Sequence, residues 1–217
     1  MKQDKETKAK LLESAKAEFL EKGYMKASLR NICKNAGVTT GALYFFFEDK
    51  EDLFEALTKE TIEGIYQLMQ GHYEEERALM GSGVLHSPEM AEHKDDFAIA
   101  RSVIHQMYLQ RDMVLLVLTK AQGTKYENIA DVFIETSEKH YWKMAQGMQV
   151  AYPDAVVDEK FIHWLAHEQI DAFVHMITHI EDEEEAVRFI SQTMIYMMSG
   201  WYGLFMNKSR LNEKEIK

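Results

Sequence analysis

Residues 28–50, SLRNICKNAGVTTGALYFFFEDK, constrain this chain more than any other stretch. They predict two short helices joined by a tight glycine turn, an arrangement that lets one helix enter the major groove of DNA. Ser28 is placed to cap the helix carrying Leu29, Ile32, Cys33 and Ala36, because its hydroxyl can take an orphan amide of the first turn. Gly37 then ends that helix, where a positive φ costs glycine little. Thr39 or Thr40 caps the next helix, which is about seven residues long and ends in Tyr44, Phe45, Phe46 and Phe47. Asp49 caps a third, with Lys50 at its first position and Glu51 and Asp52 suiting the positive end of its dipole. A helix from Thr7 to Lys22 precedes them all, with Leu12, Ala15 and Phe19 on one apolar stripe.

One register holds over about 45 residues through Leu12, Ala15, Phe19, Gly23, Tyr24, Ser28, Ile32, Ala36, Gly37, Val38, Gly41, Leu43, Tyr44, Phe47, Lys50, Glu51 and Leu53. In these residues the chain resembles the TetR family of bacterial transcriptional regulators. The resemblance covers the first quarter of the sequence; beyond it only helical character and length agree. It implies an all-α protein with a helix-turn-helix DNA-binding domain at 1–52 and a helical ligand-binding and dimerisation domain at 53–217. The implied partners are double-stranded operator DNA, a small-molecule effector and a second copy of the chain. The implied function is a ligand-responsive regulator, a repressor released by a small, mostly apolar molecule. The alternative is a ligand- or metal-binding protein of the same fold without operator binding.

The formal charge of −11 looks wrong for a DNA-binding protein until its distribution is read. Residues 1–47 hold nine Lys and Arg against five Asp and Glu, a net +4, so the remainder carries −15. Only a docking face has to be basic, and an acidic body repels phosphate elsewhere. The lone Cys33 rules out an internal disulfide framework and sits at an apolar helix position, as a buried thiol would. No apolar run is long enough to span a bilayer, and MKQDKETKAK lacks the apolar core of a signal peptide. The expectation is a cytoplasmic protein with no membrane partner.

Two prolines, abundant Met and no alternating β-branched runs predict helices throughout, about nine in all. Leu53, Leu57, Ile65, Met69 and Tyr73 continue the helix that begins at Lys50, a stiff connection able to transmit a displacement. Gly81 to Pro88 reads as a loop. Further helices are expected at Asp95–Gln110 and Asp112–Gln122, then from a Thr124/Glu127 capping box to Val150, from Asp158 to Ile180, and from Asp182 to Asn207. The last is apolar nearly all round and must be covered on more than one side. In the family the last two helices of each subunit form a four-helix dimer interface, which puts Trp201 and Gly203 at that contact, with Gly200 and Gly203 allowing close approach.

The helix from Asp158 carries His163, His167, Asp171, His175 and His179, each four residues after the last. A step of four advances about 400°, so the row drifts about 40° per step and at most three members could meet one ion. The row reads as a polar flank beside Ile162, Leu165, Ile170, Phe173 and Ile177, and no metal ligand is assigned from it. No phosphate loop or nucleophile elbow is present in the sequence, and neither catalytic residues nor a cofactor are expected. Carried over from the family, Tyr44 and Lys50 match positions that contact DNA phosphates. Thr39, Thr40 and Gly41 open the recognition helix nearest the base edges, and Arg30 lies on the preceding helix within reach of a phosphate or base. Phe45 and Phe46 stand where many relatives place His, Tyr or Trp; Phe cannot donate a hydrogen bond, so one phosphate contact is either missing there or replaced by packing on sugar or a thymine methyl. Met and aromatic residues concentrate between 107 and 148, where the family holds its effector, with His105, Met107, Tyr108, Tyr141 and Trp142 as candidate lining.

Overall fold

The computed structural model describes residues 2–81 and 93–206, and every regular element among them is an α-helix. These are α1 Lys2–Lys26, α2 Leu29–Ala36, α3 Thr40–Phe46, α4 Lys50–Gly81, α5 Lys94–Leu109, α6 Arg111–Lys120, α7 Ile129–Ala151, α8 Glu159–His179 and α9 Glu183–Met206. They form two compact units: Met1–Gln67 with Val103–Val132, and Leu68–Ser102 with Phe133–Lys217. The loop expected at Gly81 to Pro88 lies, after Gly81, outside the described residues.

In the first unit, Leu11, Ala15 and Phe19 of α1 are fully buried with Ile32, Leu43, Leu53 and Phe54. Leu12 was expected on the central stripe but is only half-buried at its edge. Leu11 takes the central place, because the i, i+4, i+8 row through Ala15 and Phe19 begins there. Phe54 packs edge-on against Phe19 and Tyr24, at 5.2 and 5.4 Å between ring centroids. α6 joins this core through Val114, Leu116 and Val117. It is tied to α1 by Lys16–Asp112 at 2.8 Å and by Lys120, whose ammonium donates to the Leu20 carbonyl.

The local signals for the helix ends hold. Ser28 accepts from the Asn31 amide, Gly37 adopts φ 67° and ψ 31°, and Val38 N–H returns to the Cys33 carbonyl at 2.9 Å. At the start of α4, Asp49 accepts from Asp52 N–H, while Asp52 reaches back to Glu48 N–H, both at 2.9 Å. One start differs: α7 begins at Ile129, and the stretch from Thr124 forms turns instead. Tertiary contacts hold that stretch out of the helix. Lys125 N–H donates to Glu51 at 3.0 Å, its ammonium pairs with Glu55 at 2.6 Å, and Glu127 accepts from Gly123 N–H at 2.7 Å.

The second unit packs Ala145 and Met148 of α7, Ile162 and Leu165 of α8, and Trp201, Tyr202 and Phe205 of α9 into one cluster. Asp158 and Asp182 cap α8 and α9, accepting from Lys160 and Glu185 N–H at 2.7 and 2.8 Å. Among the described residues no helix is long and apolar enough to cross a membrane.

One buried carboxylate orients the helices of the first unit. Glu18 on α1 accepts from Ser28 N–H at 3.1 Å, from the Asn31 side-chain amide at 3.4 Å and from Lys22 at 2.9 Å. Burial pushes its pKa upward, but the hydrogen bonds from Lys22, Ser28 and Asn31 outweigh it, and the carboxyl titrates below its ordinary value. Replacing Glu18 by Ala removes the charged acceptor shared by these hydrogen bonds and should cost about 1–3 kcal/mol of stability, read by urea unfolding at neutral pH. A depressed carboxylate stabilises the fold above its unfolded pKa, so the gap between wild type and Glu18→Gln should narrow as pH falls below the ordinary 4.5.

Candidate nucleic-acid interface

α3 is fastened by two residues one turn apart, Leu43 fully buried and Phe47 next to it in the core. Its other face is open: Thr40 and Gly41 are exposed, Tyr44 is 58% accessible and Phe45 75%. Thr39 caps the helix, its hydroxyl oxygen accepting from Ala42 N–H at 3.2 Å. The aromatic run therefore divides by face. Phe47 enters the core, Phe45 projects outward, and Phe46 lies half-buried between them, edge-on to Phe45 at 4.9 Å. No residue from Thr39 to Phe47 is charged, so any positive potential at this face comes from its neighbours.

Arg30 and Lys34 are exposed on α2, and Lys8 of α1 places its ammonium 5.3 Å from the Phe47 ring centroid. The Lys8–Phe47 contact is missing from the sequence reading because the partners lie far apart along the chain. Lys50 is half-buried and already engaged. Its ammonium donates to the carbonyls of Tyr24, Ala27 and Met25 at 2.8, 3.3 and 3.4 Å, and lies 4.5 Å from the Tyr24 ring centroid. Those carbonyls follow Gly23, whose φ of 73° breaks the end of α1, so Lys50 caps a helix end besides any contact it makes outward. Cys33 is buried, and burial raises its thiol pKa, as for an ordinary core cysteine.

The body candidates are distributed over both units. Met107 is buried, Tyr108 half-buried and His105 exposed, all in the first. In the second, Tyr141 packs 5.8 Å from Trp201, and burial raises its phenol pKa well above the ordinary value; Trp142 is exposed. On α9, Trp201 is only 6% accessible and lies inside the subunit, whereas Gly203 is on the exposed face. The two are separated by about 200° around the helix, which is why they cannot share one contact surface. The histidine row stays at the surface or its edge: His163 meets Glu138 at 3.0 Å, and His175 and His179 stack at 4.3 Å.

Residues 11–57 match the sequence profile of the bacterial regulatory proteins, tetR family. The head is a TetR-type helix-turn-helix. Over 52 residues it is 46% identical to the HTH-type transcriptional repressor BepR of Brucella suis and 40% identical to the HTH-type transcriptional regulator TtgR of Pseudomonas putida. Each match covers 24% of this chain and 25% of the relative. The HTH-type transcriptional regulator UidR of Escherichia coli K12 is 28% identical over 126 residues, 57% of this chain and 55% of that protein. The chain thus spans a quarter to about half of these relatives' lengths. Behind the TetR-type head the all-α fold continues to match. A transcriptional regulator from Aquifex aeolicus aligns over 92% of this chain and 99% of its own, with a TM-score of 0.51 and 21% identity. NalD of Pseudomonas aeruginosa, the secondary repressor of the MexAB-OprM multidrug efflux pump, aligns over 89% and 96%, with a TM-score of 0.55 and 17% identity.

The cap on α3 should be measurable. Thr39→Ala removes the side-chain acceptor and should cost about 1 kcal/mol, with faster amide exchange at Ala42, while Thr39→Ser should keep most of both.

Proposed function

We propose that this protein is a homodimeric transcriptional regulator of cytoplasmic location, a repressor released from operator DNA by a small, mostly apolar molecule, and not an enzyme. The observation that carries the reading is α3, a capped helix held by Leu43 and Phe47 with Thr40, Gly41, Tyr44 and Phe45 exposed. The relatives' descriptions as transcriptional repressors and regulators support it. In this reading residues 1–52 read DNA and residues 53–217 bind effector and partner subunit. Thr39, Thr40 and Gly41 face base edges, Tyr44 and Lys50 meet phosphates, and Arg30 reaches a phosphate or base from α2. Phe45 and Phe46 press on sugar or a thymine methyl. The effector binds the helical body and acts by favouring a conformation whose two heads are wrongly spaced for successive major grooves.

Capture of random duplex DNA by the full chain tests the central claim. Enrichment of a palindrome is expected; no enrichment would leave a ligand-binding protein of this fold without an operator. On the enriched site, Lys50→Ala should weaken binding to every sequence alike and lower the salt slope by about one unit. It should also lower the melting temperature, since Lys50 caps the end of α1. Tyr44→Ala should weaken binding with slope and melting temperature unchanged, because Tyr44 is neutral and exposed.

Dimerisation rests on the open face of α9, where Tyr196 is 75% accessible and added Cβ atoms at Gly200 and Gly203 would meet nothing within 4 Å. Gly203→Phe is therefore free of clashes within the subunit, and a dimer should dissociate on this substitution with the fold intact. Sedimentation at micromolar concentration reads the result. Trp201→Glu is not a clean probe, because Trp201 belongs to the subunit core.

A further inference from the structure

The second unit holds a buried polar cluster that the DNA-reading function does not use. His72 and Glu76 stand one turn apart on α4, and Asp96 lies in the first turn of α5. One ligand atom from each, all within 4.8 Å of one another, makes the cluster of metal-ligating type among the described residues. Their side chains are 16%, 11% and 15% accessible. No member of the histidine row on α8 takes part.

Two kinds of spacing occur inside the cluster. His93 Nδ1 lies 2.6 Å from Asp96 Oδ2, and His140 Nε2 lies 2.8 Å from Glu76 Oε2; both are charge-assisted hydrogen bonds. His72 Nε2 stands farther off, 3.7 Å from Glu76 Oε2 and 3.4 Å from Asp96 Oδ1. With metal–ligand bonds of about 2.0–2.1 Å, neighbouring ligands of a tetrahedral ion are about 3.3–3.4 Å apart. The His72–Asp96 separation is of that kind, and the His72–Glu76 one is wider.

The surrounding side chains point the same way. His93 pairs through Nδ1 with Asp96, and its Nε2 lies 3.2 Å from the Tyr202 hydroxyl. His140 donates from Nε2 to Glu76, while its Nδ1 is buried without a hydrogen-bond partner among the described residues. Its ring is fixed by stacking on Tyr73 at 3.9 Å and 3°. Two carboxylates thus converge on His72 in a largely buried setting, each held by a second histidine, as ligating carboxylates are held by outer partners in metal sites.

We propose that His72, Glu76 and Asp96 are the protein ligands of a divalent first-row transition-metal ion, held with a fourth position open, and that His93 and His140 orient the two carboxylates. One imidazole and two carboxylates with no thiolate suit zinc, manganese or iron(II), and exclude a copper(I) site. The ion fastens α4 to the first turn of α5. The inference stands independently of operator binding and is tested without DNA.

Chelator-treated full-length protein is titrated with Zn²⁺ by calorimetry, and with Co²⁺ by visible absorption. One ion per chain is expected, with ligand-field bands of a four- or five-coordinate cobalt site and no thiolate charge transfer. His93→Ala should lower zinc affinity about 10- to 100-fold, as loss of an orienting partner does. His72→Ala and the isosteric Asp96→Asn should lower it further, and the double variant His163→Ala with His167→Ala should leave it unchanged. Wild-type protein that takes up neither ion overturns the proposal. So does zinc binding that survives Asp96→Asn, or that disappears only with the exposed pair.

Discussion

The helix-turn-helix depends on how one corner of the backbone is satisfied. Between Gly23 and Ser28 the chain leaves α1 and enters α2, and a buried corner must find partners for its loose carbonyls and amides. Two side chains of opposite charge supply them. Glu18 takes the Ser28 amide and the Asn31 side chain, and Lys50 donates to the Tyr24, Met25 and Ala27 carbonyls. Ser28 is thereby bonded at both its amide and its hydroxyl, which sets the direction in which α2 leaves α1. Gly37 and Thr39 then set α3, so the outward placement of Tyr44 and Phe45 follows from contacts made beneath it.

The charge of α3 is distributed in an instructive way. α3 itself is uncharged and presents an apolar, aromatic face, while the cations stand around it on α1, α2 and the start of α4. Lys50 completes the corner with its ammonium, while Thr40, Gly41 and Tyr44 stand exposed on the neutral helix. A charge at such a position would be read from sequence as DNA-facing, yet its hydrogen bonds are internal.

The second unit poses a different physical problem. Its core is largely Met, aromatic and aliphatic, yet it also buries Tyr73, whose phenol burial pushes up to about 12, hydrogen-bonded to Ser137 and Gln169. Beside it lies the His72, Glu76 and Asp96 group. Buried polar groups of this number are costly unless mutually satisfied, and here five titratable side chains from three segments satisfy one another or await a cation. The polar interior is therefore a specific feature of this unit, where an apolar filling would have sufficed for stability alone.

The sequence by itself determined the helices, most of their ends and the face that α3 presents, because caps, glycine turns and a 3.6-residue period act within a few residues of one another. Ser28, Gly37, Thr39, Asp49, Asp158 and Asp182 all cap or close the elements expected of them. Tertiary structure decided whatever joins distant residues. It placed Leu11 and not Leu12 at the centre of the α1 stripe, held the stretch from Thr124 out of α7 through Glu51 and Glu55, and turned Trp201 inward on the helix that leaves Gly203 exposed. The conspicuous histidine row proved peripheral, while the buried cluster drew on His72, Glu76, His93, Asp96 and His140, which share no short spacing beyond one helical turn. A periodic row is visible in one dimension because a single helix generates it. A site assembled from separate helices has no such signature, since the chain's packing alone brings its members within bonding distance.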